Sequence, residues 1–305
     1  MTTRSVGSLS ALRSRWREFA VETLIRVFGL STIGFVTLIF VFLLREGLPI
    51  FLEVPSGDLL RTRWYPTFGL FGAMPLLLGS VLITLAAMAV ALPLGVATAV
   101  FVREVAPAWA RSILKPMIEV LAGIPSVVLG FLGMTVVAPL VRTSLAVPTG
   151  LTALSGAVIL AYMSLPTIIS VAEDALDAVP KSYRDAALAM GATQWQTIWR
   201  VVVPAARSGI VTALMLGMGR AIGETMAVMM VTGNAARMPL SADSLLRPVR
   251  TMTATIAAEM GEVAQGSRHY HALFAIGIIL FTLTFLINLV AASARFKSRR
   301  RGGLL

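Results

Sequence analysis

Cysteine is absent from the 305 residues, and lysine occurs only at positions 115, 181 and 297. A chain without thiols forms neither disulfides nor thiolate metal sites. No Gly-x-x-x-x-Gly-Lys-Ser/Thr phosphate loop occurs, so the chain is not expected to hydrolyse ATP by the P-loop route. Two histidines and no cysteine leave no plausible Ser-His-Asp or Cys-His arrangement. We therefore predict a non-catalytic chain with no cofactor and no metal.

Charge is also scarce, since 13% of the residues are charged and 57% are hydrophobic. Residues 64–102 and 143–172 carry no charge at all. A helix needs roughly 20 apolar residues to cross a bilayer, and the alternation of a membrane barrel is missing. These runs predict an all-α integral membrane protein with six transmembrane helices, at about 24–44, 75–101, 119–141, 151–172, 208–232 and 272–293.

The net charge of +11 comes largely from the two ends of the chain. These basic residues are not interleaved with aromatics in a soluble domain, so they do not indicate a nucleic-acid partner. Basic ends around an even number of spans instead predict that both termini lie in the cytoplasm, next to membrane lipid. The first span is expected to be an uncleaved anchor. One conflict remains, because the predicted external segment 233–271 contains four arginines. The basic residues at the ends are Arg4, Arg13, Arg15 and Arg17, and Arg295, Lys297 and Arg299–Arg301.

The predicted spans divide the chain into four parts. Aromatic residues in the first external connection, Trp64, Tyr65 and Phe68, suit the headgroup level of a membrane. The parts are a cytoplasmic basic tail (1–22), the first transmembrane helix with its external connection (23–73), a transmembrane domain (74–294) with a cytoplasmic loop (173–207) and an external segment (233–271), and a second cytoplasmic basic tail (295–305).

The cytoplasmic loop contains an amphiphilic stretch, DAALAMGATQWQTIWRVVVP, at 185–204. Ser182 with Asp185, and Thr193 with Gln196, have the spacing of helix capping boxes. Gly191 lies where a first short helix needs a left-handed residue to end. This pattern predicts two short helices joined by a glycine turn. A membrane protein that holds such a unit outside the bilayer is expected to present it to a partner.

Two charges fall near the middle of the fifth predicted span. Arg220 and Glu224 are four residues apart, which places them on one helix face. Charges in a membrane are costly and usually face each other or a pathway. They form either an ion pair that pins neighbouring helices, or a site in which Arg220 meets an anionic substrate while Glu224 holds its guanidinium in place.

Helix-breaking residues occur at the edge of the third predicted span. Gly123, Pro125 and Ser126 follow one another closely there, and such breaks survive in a membrane only where other helices or a water-lined cavity satisfy the backbone. We predict these three residues as gate candidates. Metal binding by His269 and His271 with Glu259 and Glu262 is conceivable, but alternating histidines before a span are more typical of an interface.

Residues 185–204 resemble the cytoplasmic "EAA" loop of ABC-importer permeases, Glu-Ala-Ala, three residues, Gly, nine residues, Ile-x-Leu-Pro. Asp185 replaces the first glutamate, and Val201 and Val203 stand at the Ile and Leu positions. In that family the loop is the coupling helix that fits a groove in an ATPase subunit. The resemblance implies a type I ABC-importer permease (MetI-like) fold, polar contacts to the ATPase from Arg184 and Asp185, and a turn at Gly191. The matching positions are Ala186, Ala187, Gly191 and Pro204.

Three further segments look like the phosphate-specific permeases of the PstC type: AGIPSVVLGFLG (122–133), GRAIGETMAVMMVTGN (219–234) and TATIAAEMGEVAQGSRHYHALFAIG (253–277). In that family the charged pair matched by Arg220 and Glu224 is associated with phosphate passage. The resemblance implies a bacterial inner-membrane complex with a second permease of the PstA type, two ATP-binding subunits of the PstB type and an external phosphate-binding protein of the PstS type.

The sequence thus predicts half of an ATP-driven phosphate pathway. One alternative keeps the mechanism and changes the cargo to another oxyanion, sulfate or molybdate. The other is a secondary transporter or channel that uses Arg220 and Glu224 without an ATPase. The pattern at 185–204 argues against this second alternative, as does the lack of recognisable inverted repeats.

Overall fold

The computed structural model describes residues 6–54, 56–59 and 61–302, and its regular structure is mostly helical. The helices are α1 (Val6–Gly47), α2 (Pro49–Glu53), α3 (Ser56–Leu59), α4 (Met74–Val100), α5 (Ala108–Ala122), α6 (Ser126–Leu132), α7 (Ala138–Ser144), α8 (Ala153–Asp177), α9 (Lys181–Ala189), α10 (Gln194–Thr197), α11 (Val203–Ala205), α12 (Arg207–Gly223), α13 (Met226–Val231), α14 (Met252–Glu259) and α15 (Arg268–Gly302). Single π-helical turns follow α4, α6 and α10, at Phe101–Val105, Gly133–Val137 and Ile198–Val202.

Five helical stretches in the described residues are long and apolar enough to cross a membrane. A sixth is added if Gln194–Ala205 and Arg207–Gly223, which meet at a bend of 67°, count as one span. The structure therefore confirms an all-α transmembrane fold with five to six membrane helices. The five stretches are Glu18–Glu53, Met74–Val105, Ser126–Ser144, Ala153–Asp177 and Arg268–Val290.

The third predicted span, 119–141, begins too early. Helix α5 ends at Ala122, and the membrane-length stretch starts only at Ser126, after Pro125 in an extended conformation. Pro125 lacks an N–H and disfavours helical geometry at the preceding residue, which favours a helix break at this point, next to Gly123. Hydropathy does not detect the break, because the residues on both sides are apolar.

Helices α4, α8 and α12 form the main core of the molecule. Ile168 of α8 is completely buried between the other two, where a β-carbon added to Gly95 or Gly217 would lie within 2.8 Å of its side chain. Small residues at such crossings let helix backbones approach closely and pack without a large side chain between them. The α8 side chains therefore connect directly to both α4 and α12.

Helix α1 lies at the periphery and packs along α15. Phe40 stacks on Phe281 at a centroid distance of 4.7 Å, and Phe42 meets Phe274 edge-on at 5.6 Å. Most side chains of residues 18–42 are exposed apolar groups. An exposed apolar helix of this length is typical of a lipid-facing span.

A short hairpin precedes α4 and is a small exception to the helical architecture. Strand β1 (Trp64–Tyr65) pairs antiparallel with β2 (Leu70–Phe71). The predicted position at a membrane interface is wrong for Trp64, whose side chain is only 2% exposed. Tyr65 and Phe68 are exposed, as an interface position requires. Trp64 is buried because the chain between α13 and α15 supplies a partner for its indole N–H.

That partner is Glu259, at the end of α14. Its carboxylate accepts hydrogen bonds from Trp64 Nε1 (3.1 Å), Arg250 Nη1 (2.6 Å) and His269 Nε2 (2.8 Å). Met252 N donates to Ser80 Oγ (3.0 Å), which attaches the same segment to the first turns of α4. One carboxylate thus joins the hairpin, the 250–259 segment and the start of α15.

Replacing Glu259 by glutamine should destabilise the protein by about 3 kcal/mol, because it leaves the mostly buried Arg250 without its counter-charge. Thermal unfolding in detergent measures the effect. Asp243→Asn is the matched control, since the Asp243–Arg247 pair is exposed to solvent and should contribute little to stability. Equal losses in the two variants would contradict the role assigned to Glu259.

Candidate functional site

Arg220 lies in the last turn of α12 and joins three elements. Its Nη1 donates to Thr167 Oγ1 of α8 (3.2 Å), and its Nη2 donates to the carbonyl of Ala122 (3.4 Å). A cation in the last turn of a helix is favoured by the helix dipole. The residue is exposed, and no acidic side chain forms an ion pair with it among the described residues. Arg220 is therefore positioned by neutral oxygens and keeps its charge available.

The structure brings Arg220 to the helix break predicted separately at Gly123, Pro125 and Ser126. Ala122 is the last residue of α5, Gly123 caps that helix, and Ser126 begins α6. The carbonyl of Ala122 has lost its intrahelical partner at this end, so it is free to accept from the guanidinium. A charged side chain thus satisfies the broken backbone, as an interruption inside a membrane protein requires.

Glu224 does not share a helix face with Arg220, so this prediction is wrong. Helix α12 ends at Gly223, and Glu224 is extended, with ψ of 130°. Its Oε1 accepts from the backbone N–H of Ala227 (3.3 Å), while its carbonyl accepts from Thr253 Oγ1 (2.9 Å). The ion-pair interpretation is not supported either, because the described contacts of Glu224 stabilise the start of α13 and the approach of α14.

Thr167 and Thr253 were missed as site residues. Each has a side-chain hydroxyl that forms a hydrogen bond with a residue beside the break between α12 and α13: Thr167 of α8 with Arg220, and Thr253 of α14 with Glu224. Thr167 follows Ser164 by one helical turn in the uncharged fourth span, and the buried Ser164 Oγ has no hydrogen-bond partner. For Thr167, the sequence signal was a pair of hydroxyl residues, Ser164 and Thr167, one helical turn apart in an otherwise apolar span.

A second candidate surface is the helix–turn–helix formed by α9 and α10. Gly191 has φ of +82°, and Thr193 and Gln196 form the predicted capping box. The box predicted at Ser182 and Asp185 is wrong, because α9 begins at Lys181 and Pro180 occupies the capping position. Ser182 is therefore the second residue of the helix, two positions past the N-cap, and its side chain cannot cap the helix start.

The helix–turn–helix borders a surface groove of 610 Å³. Met190 is 89% exposed beside it, and Trp195 and Trp199 form an exposed edge-to-face pair at 5.7 Å. Asp185 is exposed on α9, and Pro204 precedes the 67° bend into α12. The groove is lined by Tyr183, Ala186, Ala187, Met190, Gly191, Ala192, Gln196, Arg200 and Val201.

Arg184 points away from this groove. Its guanidinium donates to both carboxylate oxygens of Glu104, at 3.2 and 2.7 Å, and to the carbonyls of Leu176 (2.9 Å) and Val179 (2.7 Å). The Arg184 side chain is 17% exposed and that of Glu104 is 11% exposed. Arg184 therefore connects α9 with the ends of α4 and α8.

The two histidines have structural partners. His269 contacts Glu259, and His271 Nδ1 lies 2.6 Å from the carbonyl of Glu46. Within residues 6–54, 56–59 and 61–302, no group of three His, Cys, Asp or Glu side chains is arranged to hold a metal ion. Near the start of the 233–271 segment, hydrogen bonds from Ser241 and Arg247 lower the pKa of Asp243.

Comparison with known proteins identifies the family of this fold. Residues 91–300 match the family of binding-protein-dependent transport system inner membrane components. The probable ABC transporter permease protein YqgH of Bacillus subtilis is 41% identical over 266 residues, covering 86% of this chain and 84% of the relative. The phosphate transport system permease protein PstC of Mesorhizobium japonicum is 37% identical over 281 residues, covering 83% and 85%.

Solved structures agree on the fold. A bacterial ABC transporter involved in the import of the acidic polysaccharide alginate superposes with a TM-score of 0.60 at 18% identity, over 94% of this chain and 99% of that chain. The MetNI methionine ABC transporter, in an inward-facing conformation, gives a TM-score of 0.55 at 18% identity, over 77% and 99%. The chain therefore belongs to the binding-protein-dependent transport system inner membrane components, the multi-pass permease subunits of ABC importers, which are not themselves catalytic.

Proposed function

We propose that this permease forms half of an ATP-driven pathway for phosphate. The observation that carries the proposal is the Arg220 guanidinium, which Thr167 and Ala122 hold at a helix break, with no carboxylate paired to it in the part of the chain that the structure describes. Arginine suits oxyanions because its planar N–H groups bind two oxygens at once. Relatives named as phosphate permeases, at 37% and 34% identity, support phosphate as the cargo.

The neutral oxygens beside Arg220 favour phosphate over sulfate and molybdate. At neutral pH phosphate still carries a P–OH group, whereas the other two anions are fully deprotonated. The carbonyl of Ala122 accepts from Arg220 and has a second lone pair for such a donor. An acceptor that a fully deprotonated anion cannot satisfy discriminates against that anion.

Two surfaces of the chain are the proposed binding sites for partner proteins. The groove along α9 and α10 is the proposed dock for one of two ATP-binding subunits of the PstB type, with Asp185 at its exposed edge and Gly191 as its turn. The 233–271 segment and the hairpin are the proposed external face, toward a phosphate-binding protein of the PstS type. A second permease of the PstA type would complete the pathway. With this proposed arrangement, both termini would lie in the cytoplasm.

The proposed cycle follows from the connection between the two sites. ATP-driven closure of the ATPase subunits would move α9 and α10, and with them the ends of α4 and α8. Rocking of these helices would switch access to Arg220 from outside to inside. Arg220 must release what it binds, and its partly satisfied guanidinium makes it a transient contact.

Reconstitution tests the cargo. Proteoliposomes that contain both permeases, both ATPases and the binding protein should accumulate phosphate only with internal ATP. Sulfate or molybdate in tenfold excess should leave phosphate uptake nearly unchanged. Uptake of sulfate or molybdate in place of phosphate would move the assignment to that oxyanion. Uptake that persists without ATPase subunits would instead establish the secondary-transporter alternative.

A further inference from the structure

Arg184 of α9 donates all of its described side-chain hydrogen bonds to residues outside α9. Four of its N–H bonds are used, two on Glu104 and one each on Leu176 and Val179. A guanidinium has five N–H donors in a rigid fork, so this side chain is nearly saturated. Its partners lie in α8, in the residues that follow α8, and in the π-helical turn after α4.

Glu104 is held from the other half of the helix–turn–helix as well. Gln194, the first residue of α10, donates from Nε2 to the carbonyl of Glu104 (3.3 Å). Arg111 of α5 donates to the carbonyls of Val102 (3.0 Å) and Arg103 (2.6 Å) in the same turn. The end of α4 is therefore fixed on both α9 and α10, and its freed carbonyls are satisfied.

The helices that Arg184 joins to α9, α4 and α8, also contact the helix that carries Arg220. Helices α4 and α8 are core neighbours of α12, and Thr167 of α8 bonds Arg220 of α12. A mostly buried, two-pronged ion pair resists separation, because pulling it apart would leave both charges without compensation. A force on α9 is thus transmitted to α4 and α8 rather than absorbed by a flexible connection.

We propose that Arg184 and Glu104 form a transmission clamp, which makes α9 a rigid extension of α4 and α8. The clamp couples movement of the ATPase dock to the helices around Arg220. Arg184 is then a positioning residue, whereas the resemblance to the EAA loop implied a contact with the ATPase. This inference rests on the proposed docking of an ATPase at α9 and α10.

Arg184→Gln and Glu104→Gln test the clamp in the complete complex in proteoliposomes. Each variant should keep the ATPase subunits bound and hydrolysing ATP, while phosphate transported per ATP falls about tenfold, equivalent to about 1.4 kcal/mol of coupling. The double variant should fall no further than the worse single variant, because both changes remove the same interaction. Arg184→Lys keeps the charge but not the fork, and its ratio should lie between those of Arg184→Gln and the wild type.

Arg103→Gln is the matched control. Arg103 lies in the same π-helical turn as Glu104, but it pairs with Asp177 of α8 and does not reach α9. Its transport per ATP should stay at the wild-type value. A loss as large as that of Glu104→Gln would overturn the clamp, since it would reflect general damage to this turn.

Two other outcomes would also overturn the clamp. One is a wild-type ratio in both Arg184→Gln and Glu104→Gln. The other is release of the ATPase by Arg184→Gln alone, which would make Arg184 a direct contact. If the glutamine variants do not assemble, a wild-type ratio in Arg184→Lys overturns it instead. Failure of the proposed function is distinguishable, because the unaltered complex would then show no ATP-driven phosphate uptake.

Discussion

Replacing Arg220 by glutamine should lower phosphate uptake by about 100-fold, since a hydrogen bond to a charged group contributes about 1.5–3 kcal/mol and the glutamine amide can replace at most one of the two that the guanidinium can offer. The complex should still assemble, because Arg220 is exposed and its hydrogen bonds go to Thr167 and Ala122 at 3.2 and 3.4 Å. Uptake of labelled phosphate into proteoliposomes measures the effect, and co-purification of the ATPase subunits reports assembly.

Arg220→Lys separates charge from geometry. Lysine keeps the positive charge but cannot bind an oxyanion with two parallel N–H groups, so its uptake should lie between those of the glutamine variant and the wild type. Arg26→Gln is the matched control, since Arg26 pairs with exposed Glu22 on the peripheral helix α1, outside the proposed pathway and docking surfaces, and its uptake should stay at the wild-type value. Normal uptake in Arg220→Gln would remove Arg220 from the pathway and with it the main support for an oxyanion cargo.

The sequence predicted both parts of the Arg220 site, the charge and the helix break, but not the contact between them. A charge in an apolar run is visible in one sequence, and so is a Gly-Ile-Pro-Ser break. Their meeting through Ala122 is not visible, because it joins positions 98 residues apart. The placement of Glu224 failed for a related reason. Helices α12 and α13 on either side of Glu224 are both largely apolar. The hydropathy of the sequence therefore does not show that the backbone becomes extended between them.

The helix–turn–helix shows the same division between local and distant contacts. Gly191 and the Thr193–Gln196 box depend on neighbours within a few residues, and both were predicted. The direction of Arg184 depends on Glu104, which is 80 residues away. A loop arginine next to a matched motif is easily interpreted as a surface contact, and its carboxylate partner becomes evident only when α4 and α9 are placed side by side.

Gly191→Val should release the ATPase subunits from the purified complex. Gly191 has φ of +82°, a left-handed conformation that costs other residues about 1–2 kcal/mol and a β-branched residue more. No atom lies within 4 Å of the position of an added β-carbon, so the effect comes from backbone strain and not from a clash. Relief of that strain would reorient α9 against α10 and distort the groove that Gly191 lines.

A graded series makes this prediction specific to the backbone. Asparagine tolerates the left-handed region, so Gly191→Asn should retain most of the ATPase that Gly191→Val loses, although the two side chains are similar in size. Gly261→Val is the matched control, because Gly261 also has open space around it but no positive φ. Equal release by the valine and asparagine variants would mean that any side chain at position 191 blocks the dock. Retention by both would show that the turn does not set the geometry of the groove, and the docking surface would then have to lie elsewhere on the chain.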